Sequence, residues 1–166
     1  MSIEKKVEII PFTIELKDHI KILNLEWLEK YFKVEPKDKI VLSNPQNEII
    51  DKGGFIFYAK YEEEIVGTYS LLKIDESTFE LNKMAVTASA QGKGIARNML
   101  LHCLAFATEK KIKKLLLYSN RSLKTALYLY EKFGFVEVQL ESGVYERADI
   151  KMELELNTMY IESFPA

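Results

Sequence analysis

Apolar and polar positions recur along this chain with two periods, and the changes of period mark the elements. Residues 7–10 read as a short first strand that Pro11 stops. Over 18–32 the period becomes helical, with Ile20, Leu23, Trp27, Leu28 and Tyr31 on one face. Residues 33–53 lose the period and carry Pro36 and Pro45, which predicts an irregular connection or one short helix near 48–52. A connection this long in a compact domain is often functional, as a lid is. Three strands follow, at Phe55–Tyr61, 65–74 (with Gly67 inside it) and Thr78–Val86. The turns Glu62-Glu63-Glu64, a solvated acidic run, and Asp75-Glu76-Ser77 are short, so the three form an antiparallel meander.

Past Val86 the helical period returns over 92–111. Met99, Leu100, Cys103, Leu104 and Ala107 make its apolar side, and Asn98, His102 and Glu109 a polar stripe on which His102 is solvated. Leucine-rich 114–118 predicts a central strand. Ser122 is expected to cap a helix over 123–133, and Gly134 to end it. Residues 135–140 and 145–156 read as a closing hairpin, with Ile150, Met152, Leu154 and Leu156 alternating with Lys151, Glu153 and Glu155. This order predicts an α/β layered domain, a mixed central sheet flanked by helices.

Composition narrows the function without choosing it. A length of 166 residues suits one domain, and 48% hydrophobic with 29% charged residues is ordinary for a soluble one. A net charge of −2 lacks the basic excess of a nucleic-acid binder. One cysteine and two histidines exclude an internal disulfide and a Cys/His zinc site, so no metal is expected. The start, Met1-Ser2-Ile3-Glu4-Lys5-Lys6, lacks the apolar run of a signal peptide, and no stretch approaches the roughly 20 apolar residues of a membrane span. The expected location is the cytoplasm, with no membrane partner.

The chemistry concentrates in Gln91-Gly92-Lys93-Gly94-Ile95-Ala96-Arg97. Two glycines let backbone approach a ligand closely, and the segment opens a long helix whose first amides suit an anionic phosphate. Lys93 and Arg97 add positive charge. A Walker loop would need Ser or Thr where Gly94 stands, and a dinucleotide fingerprint would need glycine at Arg97, so both nucleotide patterns fail. The residues alone leave a pyrophosphate cradle and a plain helix-opening turn as alternatives.

Context adds a resemblance. Gln91-x-x-Gly94-x-Ala96, after the strand Leu81-Asn82-Lys83-Met84-Ala85-Val86, resembles the acetyl-CoA signature of the GNAT N-acetyltransferase family. The segment from Asn120-Arg121-Ser122 through Leu129-Tyr130-Glu131-Lys132-Phe133-Gly134-Phe135 resembles that family's second block, in the right order and spacing. The resemblance covers 54–156 well and implies one GNAT domain over 1–166, with 54–156 as the cofactor-binding core. Residues 1–53 match only in element order, as a variable acceptor-side region does.

The resemblance implies transfer of an acetyl group from acetyl-CoA to a primary amine of a small molecule or peptide, by direct attack. It also implies cofactor contacts at Met84, Ala85, Val86, at Gln91 through Arg97, and at Asn120. Strand 84–86 is expected to splay from 115–118, leaving a backbone edge for the pantetheine arm. Tyr130 matches the tyrosine that protonates the departing thiolate, while its i, i+3, i+4, i+7 relation to Leu123, Ala126 and Leu127 points it inward. Glu80 is the candidate base. Glu80, Asn82 and Met84 are expected to share one strand face, with Glu80 roughly 13 Å from Met84 by strand rise, a distance suited to a bridging water. Glu26 and Glu29 are rival acids, and Trp27, Tyr31, Phe32 and Phe55 are candidate walls of the acceptor pocket. His19 reads as ordinary and Cys103 as inert core. A monomer or a homodimer meeting through 145–156 fits the family. The alternative is an acyl-CoA-binding regulatory module without catalysis.

Overall fold

The computed structural model describes residues 7–156. Residues 1–6 and 157–166, the two ends of the expected domain, lie outside the described residues. Strand β1 (Glu8–Pro11) leads through a short 3₁₀ turn into helix α1 (Lys17–Tyr31) and then α2 (Pro36–Ser43). A single π-helical turn, Gln46–Ile50, precedes the meander β2 (Phe55–Tyr61), β3 (Glu64–Lys73) and β4 (Thr78–Val86). Next come α3 (Ile95–Glu109), β5 (Lys114–Ser119), α4 (Lys124–Lys132), β6 (Val136–Val138) and β7 (Ile150–Glu155). They build one mixed sheet in the order β1-β2-β3-β4-β5-β7-β6.

Alternation along the strands sends side chains to two cores. On β2, Ile56 and Tyr58 join Ile20, Leu28, Leu42 and Ile49 under α1 and α2. Phe57 and Ala59 join Met99, Leu100, Cys103 and Leu104 of α3, with Phe133 and Phe135 after α4. Each buried Leu, Ile, Met or Phe among them contributes about 1.5–3 kcal/mol, so packing holds these helices more than propensity does. Gly67 permits the close fit of α3 onto β3: a Cβ there would lie 3.2 Å from the Met99 thioether and 3.3 Å from Ala59 Cβ.

Four expectations need correction. Residues 33–53 hold a real helix, α2, because Pro36 sits in its first turn, where no amide is needed, and Glu35 with Asp38 forms a capping box. α3 begins at Ile95 and not at 92, since Gly92 and Gly94 take positive φ (80° and 76°). Ser122 does not cap α4. Leu123 occupies that position with no side-chain cap, and Ser122 turns back to Asn120 Oδ1. The closing hairpin is real but short on one side: β7 pairs along its length with β5, whereas β6 spans only 136–138, against the expected 135–140. The residues between β6 and β7, 139–149, form a connection that carries Tyr145 and Arg147.

Candidate active site

The sheet opens where the chemistry was expected. β4 and β5 run parallel and pair only at Thr78↔Lys114, Phe79↔Leu115 and Glu80↔Leu116. Beyond that point β5 continues with β7 and β4 with β3, so the facing edges part into a V. The amide of Thr87 donates to Val66 on β3, which turns the polar groups of Val86 the other way, into the opening. Gln91 Nε2 reaches the Val86 carbonyl there at 3.4 Å.

The mouth of the V is the amino end of α3. Its first internal bond runs from Asn98 N–H to the Gly94 carbonyl at 3.0 Å, leaving the amides of Ile95 and Ala96 without a backbone acceptor among the described residues. A Cβ at Gly92 would meet nothing within 4 Å, and one at Gly94 only Asn98 Nδ2 at 3.9 Å. Open space in front of unpaired amides, with the positive helix end behind, fits a diphosphate. Gln91, Gly92, Gly94, Ala96 and Arg97 line this cleft of about 710 Å³, as do Met84, Ala85, Val86 and Asn120. Ile95 lines it while its side chain is buried in the core. Lys93 is the exception, because its ammonium lies over the Tyr61 ring, 5.6 Å from the centroid.

Tyr130 and Glu80 both border the cleft, from opposite faces of the sheet. Tyr130 packs edge-on against Phe135 at 5.8 Å. Among the described residues its hydroxyl has one partner, the Met84 thioether at 3.9 Å, a weak acceptor. Burial pushes the phenol up to about 12, with the nearby Cys103 adding to it, so it holds its proton at neutral pH.

Glu80 is buried, 7% exposed. Its Oε2 accepts from Asn82 Nδ2 and from Tyr145 Oη at 3.3 Å. Tyr145 Oη in turn accepts from Asn82 Nδ2 at 2.8 Å. Both bonds land on the same oxygen, so Oε1 is left as the open face of the carboxylate among the described residues. Burial pushes Glu80 above the ordinary carboxylate range, opposed by those hydrogen bonds and by the charge of Lys83.

The expected shared face of Glu80, Asn82 and Met84 does not exist. The β3–β4 register jumps from Thr68↔Ala85 to Ser70↔Asn82, and Lys83 takes φ 54°. This bulge inserts a residue and reverses the alternation. Met84 therefore packs with the α3–α4 core beside Tyr130, while Glu80 and Asn82 stay with Tyr145. Asn24 of α1 holds the bulge, donating to the Lys83 carbonyl at 3.2 Å.

Beside Glu80 lies a buried ionic cluster that no local pattern announces. Asp38, 0% exposed, accepts from Lys83 Nζ at 2.7 Å and from both terminal nitrogens of Arg147 at 2.8 and 2.9 Å. Arg147 Nη1 also reaches Glu35 at 2.7 Å. Burial pushes Asp38 up, but the donors Arg147 and Lys83 outweigh it and hold the carboxyl at about 2.

Several other candidates take structural places. Asn120 spends its side chain inside the chain, donating to the Arg147 carbonyl at 2.7 Å and accepting from Ser122 N–H at 2.9 Å. Glu26 accepts from Thr87 Oγ1 and the Ala88 amide, closing the loop after β4, and Glu29 is exposed. Phe55 packs tilted against Phe79 and edge-on against Phe106, beside the core, whereas Trp27, Tyr31 and Phe32 do line the cleft. His102 is packed rather than solvated: Nδ1 bonds Tyr69 Oη at 2.7 Å, the ring lies 4.7 Å from Phe57, and burial lowers its pKa. Among the described residues no helix is long and apolar enough to cross a membrane, and no group of three His, Cys, Asp or Glu could hold a metal.

Known proteins resemble this chain in both sequence and fold. The model of the acetyltransferase (GNAT) family matches residues 19–135. The uncharacterized N-acetyltransferase YjgM of Escherichia coli is 28% identical over 105 residues, 61% of this chain, and the match spans only 63% of that relative. An acetyltransferase of the GNAT family from Staphylococcus aureus superposes with a TM-score of 0.82, covering 92% of this chain and 100% of that one at 22% identity, which speaks to the fold alone. A GNAT family acetyltransferase from Elizabethkingia anophelis, solved with acetyl-CoA bound, is 28% identical with a TM-score of 0.61, covering 90% and 98%.

Proposed function

The chain belongs to the GNAT acetyltransferase family, and from that premise we propose that it moves an acetyl group from acetyl-CoA to a primary amine of a small molecule or peptide by direct attack. The observation that carries this is the pairing across one cleft: a protonated phenol, Tyr130, on one face of the opened sheet, and a carboxylate with one open oxygen, Glu80, on the other. The acetyl-CoA bound to the Elizabethkingia relative supports the donor.

In this reading the amides at Gly92 through Arg97 hold the diphosphate, and the unpaired edge of β4 at Met84, Ala85 and Val86 holds the pantetheine arm. The Val86 amide, turned into the opening, donates to the thioester oxygen as negative charge grows there. The amine arrives as an ammonium, and Glu80 takes one proton, directly or through a water. The nitrogen then attacks the thioester carbon. As the tetrahedral adduct collapses, the C–S bond breaks, Tyr130 protonates the leaving sulfur, and the nitrogen's second proton restores the phenol. One acetamide, one free thiol and one net proton result.

Two outcomes follow. Glu80→Gln lowers kcat/KM for the amine by about 10²-fold or more while acetyl-CoA affinity stays the same, read by thiol release and by calorimetry. An unchanged rate removes Glu80 from the role. Gly94→Ala puts a Cβ on a residue at φ 76°, which costs about 1–2 kcal/mol and weakens coenzyme A binding by about tenfold; unchanged affinity would move the cradle elsewhere. A non-catalytic acyl-CoA-binding module needs neither Tyr130 nor Glu80. Tight binding without thiol release for any amine would favour it.

A further inference from the structure

We propose that Tyr145 is a positioning residue for the acceptor side of this reaction: held by the Arg147–Asp38–Glu35 ion pairs, its phenol clamps one oxygen of Glu80 so that the other faces the cleft. The inference rests on Glu80 being the base, and adds the part of the chain that makes it one.

The argument starts with chain geometry. Glu80 sits on β4, while Tyr145 belongs to the β6–β7 connection, 65 residues away. A loop has no ladder to fix its height, so something else must set where the phenol lands. Arg147, two residues on, supplies it. Its fork binds Asp38 through both oxygens and Glu35 through one, anchoring the loop to the first turn of α2. Glu35 also accepts from the Glu146 amide at 3.1 Å, a second tie one residue from Tyr145. Asn120 holds the Arg147 carbonyl from the β5–α4 side. Lys83 completes the anchor by binding Asp38 from the β4 bulge. The loop is thus tied to the start of α2 and to the β5–α4 connection within two residues of Tyr145.

The ring itself is sandwiched by charge. Arg147, Lys37 and Lys83 lie 5.2, 5.3 and 5.9 Å from its centroid, and Tyr118 meets it edge-on at 5.8 Å. The hydroxyl donates to Glu80 Oε2 and accepts from Asn82 Nδ2. The same residue walls a second cavity of about 260 Å³, lined by Lys37, Ile40 and Glu48, so it divides the cleft from the α2 side. The groups facing Glu80 are Asn82 and Lys83 from its own strand, Lys37 and, through Lys83, Asp38 from α2, Tyr118 from β5, and Tyr145 with Arg147 from the loop. Tyr145 is the one that hydrogen-bonds the carboxylate from outside β4.

A donor to Oε2 favours the ionised carboxylate and fixes its plane. Tyr145→Phe keeps the ring and removes the hydroxyl, which is that donor and also the acceptor of one Asn82 N–H. The expected result is a shift of the acid limb of kcat/KM for the amine to higher pH, by about one unit, and a fall of about tenfold at neutral pH. The KM for acetyl-CoA stays the same. Arg147→Lys, which keeps the charge but loses the fork, reproduces the shift in weaker form with Tyr145 intact, a result that packing alone would not give. A Tyr145→Phe enzyme with an unmoved acid limb overturns the inference when Glu80→Gln is inactive, and leaves Glu80 as base. If Glu80→Gln is fully active, the inference and the base assignment fall together.

Discussion

Replacing Tyr130 by Phe lowers kcat by about 10²–10⁴-fold and leaves acetyl-CoA affinity and the melting temperature where they were. The ring keeps its contact with Phe135, and among the described residues the bond lost is a weak one to the Met84 thioether. What disappears is the proton for the leaving sulfur, a demand that arises late in the reaction, so the loss falls on kcat and not on ground-state binding. Burial adds a second signature. A phenol pushed up to about 12 stays protonated well beyond the ordinary value of 10.0, so the native enzyme keeps its donor as pH rises through 10. On the acid side, Glu80 lies above the usual carboxylate range, and activity falls as pH drops through that raised value. Steady-state kinetics from acid to alkaline pH reads both limbs. A Phe variant with native turnover at every pH removes the general-acid role.

The largest structural effect is expected from Asp38→Ala. Removing one partner of a buried pair leaves a buried charge uncompensated, at a cost of about 3–5 kcal/mol, and here that charge is Lys83, since Arg147 keeps Glu35. Here two cations, Lys83 and Arg147, lose their common carboxylate, and the melting temperature falls by roughly 10 °C. The capping box of α2 is lost as well, since Glu35 N–H donates to Asp38 Oδ2 at 2.9 Å. The pH dependence has a definite sign. Asp38 is held at about 2, below its ordinary 3.8, so its contribution is complete above about pH 4 and is lost as pH falls toward 2. Thermal melts of native protein and variant across that range check it: the difference between them narrows with acid. A constant difference would mean the cluster is not charged as described.

Much of the fold was legible because its signals are local. β2 and β4 match their expected bounds residue for residue, each delimited by a turn and filled with alternating or β-branched side chains. The open turn ahead of α3, proposed above as the diphosphate cradle, was legible for the same reason, since positive φ at Gly92 and Gly94 needs glycine. α2 was hidden because its proline read as a breaker, although a proline in the first turn starts a helix as readily as it stops one. Met84 was assigned to the wrong face because strict alternation carries no sign of a bulge, and Lys83 at φ 54° is not a residue that announces one. Tyr145 and the Asp38–Lys83–Arg147 cluster were invisible for a deeper reason. Their partners lie 45 to 109 residues apart, so only the folded sheet brings them together. The proposed cofactor side thus rests on contiguous sequence, and the proposed acceptor side on tertiary contacts.

That division sets the decisive test. Purified full-length protein is incubated with acetyl-CoA and a panel of primary amines, and free thiol and the mass of the amine product are followed together. Acetyl transfer predicts thiol release that depends on the amine, one thiol for each product heavier by one acetyl group, and abolished in Glu80→Gln. Saturable acetyl-CoA binding with no thiol released for any amine, at any pH, contradicts it.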